Sequence, residues 1–267
     1  MKEVIVRTLS GVVYISIVLF TLFTSRELFL GLFFVLALLS LNEFLKLVKL
    51  KSYLAYVLLA ISFYFFSYDI IHPYALLIFL IGCIVVNLFL LKDLFSFGKI
   101  PMFENKKYIS VIFYMIAGFV FLTLIPFTEG VFTPKIIVGI FVLTWSNDTF
   151  AYIIGKSFGK RKLFERISPK KTVEGFLGGT VGAICASFVI FKITDTYTLF
   201  IWLGLAIIVS VFGTFGDLIE SKFKRQANVK DSGSIMPGHG GAYDRLDSII
   251  YASPFVYAFL QIIDYVS

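Results

Sequence analysis

Acidic side chains recur at helical spacing within apolar segments of the chain. Asp217 and Glu220 lie three residues apart, and Asp148 stands in the middle of an earlier apolar run. Asp244 and Asp247 repeat the three-residue spacing further on. Carboxylates that are brought together repel one another unless a cation joins them, and oxygen ligands suit Mg²⁺. If the intervening loop folds back, we expect the two acidic pairs to meet and to bind a divalent cation.

Structural roles for the same acids remain open at this point. Glu220 could pair with Lys224 at the level of the lipid headgroups, and Asp247 could pair in the same way with Arg245. Asp148 could belong to a hydrogen-bond cluster between helices. An ionisable residue inside a membrane span is costly, however, and usually faces a protein-lined or watery interior.

A basic segment precedes the apolar run that begins near residue 173. Ser168 is predicted to cap a helix, with Pro169 at its first position. Lys170 and Lys171 would then lie in the first turn, where the helix dipole disfavours cations. That placement favours a bound anion, since free N–H groups and ammonium groups together bind phosphate. The alternative is ordinary basic flanking of a membrane span.

The segment 221–247 is the densest in polar residues. Basic residues, glycines and one histidine alternate there with Asp231, Asp244 and Asp247. A solvated basic loop would need neither the glycines nor the acids, whereas a phosphate-binding loop beside a metal site uses both. His239, which lies between glycines, is predicted to contact a phosphate or a ribose.

Composition restricts the class of protein. Of the 267 residues, 58% are hydrophobic and 15% are charged, against about 25% charged in ordinary soluble domains. The mean hydropathy is +0.91. This excludes a soluble enzyme and a disordered chain, and predicts an all-α polytopic membrane protein. The two cysteines, in apolar runs, support neither a disulfide framework nor a zinc site.

Membrane-spanning helices need about 20 mostly apolar residues, and about nine windows qualify. They are 4–24, 28–47, 53–68, 74–91, 108–127, 134–155, 173–191, 197–220 and 248–265. If the connections alternate sides from the N-terminus, only Arg26, Lys135 and Lys192 among the basic residues fall on the second side. The positive-inside rule then predicts a cytoplasmic N-terminus and an outside C-terminus. With its basic residues beside spans, the chain is expected to have no nucleic-acid partner despite its net charge of +7.

The two halves of the chain differ in character. Residues 1–130 are apolar helices, predicted to form a scaffold with lipid access and dimer contacts. Residues 131–267 carry the acids and two cytoplasmic loops, 156–172 and 221–247, and are predicted to hold the active site. There is no convincing internal repeat, which weakens a transporter interpretation.

The segment 221–247 resembles the signature motif of the phosphatidate cytidylyltransferases, also called CDP-diacylglycerol synthases. The matching residues are Ser221, Lys224, Arg225, Lys230, Asp231, His239, Gly240, Gly241, Asp244, Arg245 and Asp247. Segments 148–152 and 168–175 also resemble the family, whereas the first 130 residues resemble it only in hydropathy. Met236 and Ala242 stand where a bulkier apolar residue is expected.

The resemblance implies that CTP and phosphatidate give CDP-diacylglycerol and pyrophosphate, with Mg²⁺ required. It also implies a homodimeric integral protein, expected in a bacterial inner membrane with its active site facing the cytoplasm. On this basis Asp217 and Asp244 are predicted to hold the metal, assisted by Asp148 and Asp247. The other predicted catalytic residues are Lys224, Arg225 and His239. The predicted substrate-binding residues are Ser168, Lys170, Lys171, Thr172, Lys222, Lys230, Gly240, Gly241 and Arg245.

Other functions remain open on the sequence. A CTP-dependent lipid kinase would attack a different phosphorus, and a cytidylyltransferase could act on another lipid phosphate. A cation transporter could use the intramembrane acids as its path, but it would leave the glycines and basic residues of the loop unexplained.

Overall fold

The computed structural model describes residues 2–69, 72–128, 130–235 and 240–266. In the first half of the chain the elements follow the apolar runs, and two helices contain π-helical segments, Phe63–Tyr68 and Val111–Ile116. The α-helices are α1 (Lys2–Thr24), α2 (Arg26–Leu47), α3 (Leu54–Ser62), α4 (Pro73–Phe95), α5 (Glu104–Ser110) and α6 (Ala117–Leu124).

The second half contains four longer helices and two short hairpins. The hairpins pair β1 (Phe127–Thr128) with β2 (Val131–Phe132), and β3 (Lys162–Phe164) with β4 (Ser168–Thr172), both antiparallel. The helices are α7 (Pro134–Phe158), α8 (Val173–Thr194), α9 (Leu199–Gln226) and α10 (Tyr243–Val266).

Local signals explain several helix starts. The Ser25 hydroxyl accepts a hydrogen bond from the Leu28 N–H, 3.2 Å away, and caps α2. Pro73 and Pro134 occupy first positions, where the missing N–H has no consequence.

The predicted helix start at Ser168 is wrong. Residues 168–172 form strand β4, in which Phe164 pairs with Ser168 and Lys162 with Thr172. The cap of α8 is Thr172, whose hydroxyl accepts a hydrogen bond from the Gly175 N–H at 3.1 Å. Lys170 and Lys171 therefore lie on a hairpin and not in a helical turn. The physical reason is that β3 supplies the backbone partners for this segment, which sequence spacing does not reveal.

The core is built around α6, α9 and α10. Every residue of α6 is buried, and α10 packs so closely on it that a Cβ at Gly118 would lie 2.7 Å from the Ile250 carbonyl oxygen. The Ser253 hydroxyl donates to the Gly118 carbonyl at 2.6 Å. Glycines also let α8 approach α7, since Gly175 and Gly179 meet α7 backbone oxygens. These contacts fix the positions of the acidic residues on α7 and α10.

Seven described helical segments are long and apolar enough to span a membrane. They are Arg26–Leu47, Pro73–Phe95, Glu104–Leu124, Pro134–Phe158, Val173–Thr194, Leu199–Gln226 and Tyr243–Tyr265. Two shorter apolar helices, Leu9–Thr24 and Leu54–Tyr68, coincide with the first and third predicted windows. The chain is thus an all-α polytopic membrane protein apart from the two hairpins, and the count of nine spans stays a prediction.

Candidate active site

An acidic cavity of about 370 Å³ lies where α1, α7, α9 and α10 meet. Lys224 and Arg245 also line it. Its acidic lining residues are Asp148, Asp217, Glu220, Asp231, Asp244 and Asp247. The prediction that acids from separate helices come together is therefore confirmed.

Three of these acids form the tightest group. Asp217 and Glu220 on α9 and Asp247 on α10 each offer a carboxylate oxygen, and the three oxygens lie within 4.8 Å of one another. The close approach of the two helices depends on Gly216, where a Cβ would lie 2.7 Å from the Asp247 carbonyl oxygen. Carboxylate oxygens are the ligand type that hard divalent cations such as Mg²⁺ bind. We refer to Asp217, Glu220 and Asp247 as the carboxylate triplet.

Asp244 lies outside the carboxylate triplet and holds the loop before α10. Its Oδ1 accepts a hydrogen bond from Lys224 Nζ at 2.8 Å. Its Oδ2 accepts from the Ser232 N–H at 2.9 Å and the Gly241 N–H at 2.8 Å. The prediction that Asp244 is a metal ligand next to Asp217 stays a prediction, because these partners give its carboxylate a positional role of its own.

Lys224 joins Asp244 to the carboxylate triplet. Its ammonium lies 2.5 Å from Glu220 Oε2 and 2.8 Å from Asp244 Oδ1. The ion pair of Glu220 with Lys224, left open by the sequence, therefore forms, and Glu220 belongs to the acidic group as well. Because both side chains are buried, the Lys224 charge offsets part of the repulsion among the acids.

A basic cavity of about 460 Å³ lies between α7, α8, α9 and the β3–β4 hairpin. Its lysines are Lys156, Lys162, Lys170 and Lys171. Asp148 and Asp217 line both cavities, so the acidic and basic cavities adjoin at these two carboxylates. The lysines of the basic cavity therefore lie next to Asp148 and Asp217, and the acidic cavity adjoins the same two residues.

Lys171 forms an ion pair with Asp217. Burial disfavours the charged ammonium, but the neighbouring Asp217 carboxylate outweighs it and keeps the pKa of Lys171 above its ordinary value. The ion pair therefore places the Lys171 ammonium directly at the carboxylate triplet.

The β3–β4 hairpin is tied to α8 by the first residues of that helix. The Glu174 carboxylate accepts hydrogen bonds from the N–H groups of Lys160 at 3.0 Å and Arg161 at 3.1 Å. Lys162 Nζ donates to the Pro169 carbonyl at 2.8 Å. These contacts fix the position of the lysines at the basic cavity.

The remaining predicted residues lie in different surroundings. The Lys222 ammonium is buried and donates to the carbonyls of Asp93 and Ser96 at the end of α4, and it lines neither cavity. Arg225 is exposed and donates to the Val229 carbonyl at 3.0 Å. Lys230 is exposed as well.

Three further predictions concern the ends of the two loops. Ser168 lies half-buried on β4 and does not line the basic cavity, whereas the neighbouring Thr172 does. Gly240 adopts a positive φ of +89°, which suits glycine, and a Cβ there would lie 2.7 Å from Asp244 Oδ2. His239 lies outside the described residues, so its predicted contact stays a prediction.

Sequence reasoning missed Glu43. It lies on α2, in the half that was predicted to be a scaffold. Its carboxylate accepts hydrogen bonds from the N–H groups of Ala242 and Tyr243 at 3.1 and 2.9 Å. The available signal was an ionisable residue inside an apolar window, the same signal that drew attention to Asp148.

Comparisons with known proteins show which family this chain belongs to. The profile of the cytidylyltransferase family matches residues 5–263. A phosphatidate cytidylyltransferase of Bacillus subtilis (strain 168) is 34% identical over 268 residues, which cover 96% of this chain and 97% of the relative. Proteins of the same name from Staphylococcus haemolyticus (strain JCSC1435) and Staphylococcus aureus (strain COL) are 49% and 46% identical over 118 residues, or 43% of this chain and 45% of each relative.

Proposed function

This chain belongs to the cytidylyltransferase family, and from that membership we infer that it is a phosphatidate cytidylyltransferase. It is a transferase of phospholipid biosynthesis that converts CTP and phosphatidate into CDP-diacylglycerol and pyrophosphate. The observation that carries this function is the meeting of the basic and acidic cavities at Asp148 and Asp217, because the reaction must bring two anions together at one point.

The basic cavity is the proposed site of the CTP triphosphate. Four lysines line it, and Lys170 is exposed and Lys171 half-exposed, so that their ammonium groups are accessible to an anion entering from outside the bundle. Lys171 would leave Asp217 for a phosphate oxygen, while Asp217 keeps its hydrogen bond from the Ser221 hydroxyl at 3.2 Å.

The acidic cavity is the proposed site of the lipid headgroup. One wall is α1, which contributes Ser10, Gly11, Tyr14, Ile15 and Val18. Lys224 and Arg245 also line this cavity, and they would receive the phosphate of phosphatidate. Entry beside α1 would leave the acyl chains in the membrane.

In the proposed mechanism, a lipid phosphate oxygen attacks the α-phosphorus of CTP, and the bond from that phosphorus to the pyrophosphate oxygen breaks. The nucleophile is already an anion, so no strong general base is needed. The chain contributes alignment of the two substrates and stabilisation of the charge on the leaving group. Lys170 and Lys171 would stabilise the pyrophosphate, and Lys224 would orient the attacking phosphate.

A divalent cation fits the carboxylate triplet, which offers oxygen ligands of three acids beside a fourth, Asp148. Mg²⁺ bound there would neutralise phosphate charge. Asp217, Glu220 and Asp247 would hold it, with Asp148 assisting. Asp244 would act through Lys224 and the loop before α10.

The finer membrane arrangement is also a proposal. We propose nine spans with a cytoplasmic N-terminus, an outside C-terminus and both cavities opening to the cytoplasm of a bacterial inner membrane. The positive-inside distribution of the basic residues supports it. We further propose a homodimer, on the resemblance to the family.

The test is turnover by the purified protein in detergent with phosphatidate and CTP. We expect CDP-diacylglycerol and pyrophosphate, with label from α-labelled CTP in the lipid product. Transfer of label from γ-labelled CTP to the lipid would instead identify a kinase. Absence of any CTP-dependent lipid product would contradict the proposed function, and faster turnover with another lipid phosphate would redefine the substrate.

A further inference from the structure

Glu43 is a buried carboxylate within an apolar helix. It lies on α2, inside one of the candidate membrane spans, and is 2% exposed. A carboxylate in such surroundings is unfavourable unless hydrogen bonds satisfy it. Its partners therefore indicate why an acid is tolerated there.

Among the described residues, the hydrogen-bond partners of Glu43 lie just before α10 and at its first residue. Oε1 accepts from the Ala242 N–H at 3.1 Å, and Oε2 accepts from the Tyr243 N–H at 2.9 Å. These N–H groups are at the start of α10, where a negative charge also interacts favourably with the helix dipole. A Cβ at Gly233 or at Gly241 would overlap the Glu43 carboxylate. The segment is thus packed directly on this side chain.

Ser232 links Glu43 to the acidic cavity. Its hydroxyl oxygen lies 2.8 Å from Glu43 Oε2 and 2.9 Å from Asp244 Oδ2, so the single hydroxyl proton serves two carboxylates. Asp244 in turn holds Lys224, which pairs with Glu220 of the carboxylate triplet. A continuous series of polar contacts therefore runs from α2 to the cavity.

We propose that Glu43 is a positioning residue, which holds residues 232–233 and 241–243 so that Asp244 and Lys224 stand in their working geometry at the acidic cavity. This inference rests on the proposed function for its kinetic consequences. It assigns a role in the reaction to the N-terminal half of the chain. Glu43 touches no reacting atom, and its effect passes through Ser232 and Asp244.

The first test is Glu43→Gln, which keeps the size of the side chain and removes the charge. We expect kcat at saturating CTP and phosphatidate to fall by at least about tenfold, since small displacements of catalytic groups have effects of this order. The KM for CTP should change by less than about threefold, because the basic cavity is untouched. Glu43→Asp keeps the charge on a shorter side chain, and its kcat should lie between that of the unmodified protein and that of Glu43→Gln.

The matched control is Asn42→Ala. Asn42 is the neighbouring residue on α2, and its side-chain oxygen accepts a hydrogen bond from the Tyr56 hydroxyl at 3.2 Å, away from the loop. Its kcat should stay within about twofold of the unmodified protein. An equal loss in the Asn42 and Glu43 variants, or a Glu43→Gln loss that only follows the folded fraction, would overturn the positioning role.

A second variant keeps the test decisive if Glu43→Gln fails to fold. Ser232→Ala leaves the two backbone hydrogen bonds of Glu43 in place and removes only the shared hydroxyl. We expect its kcat to fall with an unchanged KM for CTP. In the double variant with Glu43→Gln, the losses should not multiply, because both act through one series of contacts; fully multiplicative losses would contradict the proposal.

Limited trypsin cleavage tests the contact without any need for turnover. Lys230 is exposed and directly precedes the segment that Glu43 holds. Cleavage after Lys230 should be faster in Glu43→Gln than in the unmodified protein and in Asn42→Ala. An unmodified protein that shows this protection but no CTP-dependent turnover would contradict the proposed function alone, whereas equal cleavage in all three would overturn the role of Glu43.

Discussion

Among single side chains, Asp217 connects the acidic cavity with the basic cavity. It belongs to the carboxylate triplet, pairs with Lys171 and lines both cavities. A carboxylate in this position can hold a cation on one side and a lysine on the other. Asp244, although it stands in the recognised motif, is used to hold Lys224 and the loop.

We expect Asp217→Asn to lower CTP-dependent product formation by at least about 100-fold, because the amide removes one negative ligand from the triplet. Binding of Mn²⁺ measured by electron paramagnetic resonance should weaken in parallel. Asp195→Asn is the control, since Asp195 is exposed in the connection between α8 and α9. Full activity of Asp217→Asn would refute this metal assignment.

The lysines of the β3–β4 hairpin are expected to contribute to CTP binding. We expect the double variant Lys170→Ala and Lys171→Ala to raise the KM for CTP by about tenfold or more, through the loss of two charge-assisted contacts. The KM for phosphatidate should change little. Lys192→Ala, which removes an exposed cation at the other end of α8, serves as the control, and an unchanged CTP titration in the double variant would exclude the basic cavity as the triphosphate site.

Between elements, the decisive contact is that of α9 with α10. Asp217 and Glu220 come from one helix and Asp247 from the other, so the triplet exists only while the helices remain in close contact. Gly216 permits that approach because α10 backbone atoms occupy the space of its missing side chain.

Two glycines on α9 offer a matched test of this packing. In Gly216→Ala the new Cβ would lie 2.7 Å from the Asp247 carbonyl oxygen, whereas in Gly213→Ala it would lie 3.6 Å from Ser248 Cβ, an ordinary contact. We expect Gly216→Ala to lose at least about tenfold in turnover and Gly213→Ala to stay within about twofold. Steady-state kinetics on folded protein, selected by size-exclusion chromatography, checks this; equal behaviour of the two variants would show that the helix spacing is not critical.

For the whole molecule, the important arrangement is the distribution of charge relative to the membrane. We propose that most of the basic residues and both cavities lie on the cytoplasmic side, since Lys156 lies at the end of α7 and Lys170 and Lys171 lie in the connection that follows, which is rich in basic residues. The N-terminal half contributes more than a scaffold, because α1 lines the acidic cavity and α2 supplies Glu43.

The orientation can be measured by cysteine labelling in intact cells. After replacement of Cys83 and Cys185 by Ser, we expect Asp69→Cys, an exposed position between two apolar helices, to react with a membrane-impermeant maleimide. Lys230→Cys should react only after the membrane is opened. The reverse pattern would invert the proposed topology, and labelling of both in intact cells would contradict the alternation of spans.

The sequence alone predicted the helices, the family and the acids of the candidate site. Apolar runs predicted helices in all nine windows, because membrane burial depends on composition over about 20 residues. The motif around Asp244 and Asp247 identified the family, since its residue types and spacing are specific. The acids of α7, α9 and α10 were recognised because charges inside apolar segments are exceptional.

Contacts between distant parts of the chain could be identified only from the tertiary structure. The pairing of β3 with β4 replaced the predicted helical turn at Ser168, the end of α4 took the Lys222 ammonium, and Glu43 met a segment nearly 200 positions away. Each depends on which helix faces lie together, and the local pattern of residues does not specify this. The placement of Asp247 beside Asp217 and Glu220 likewise depends on the approach of α10 to α9 across Gly216.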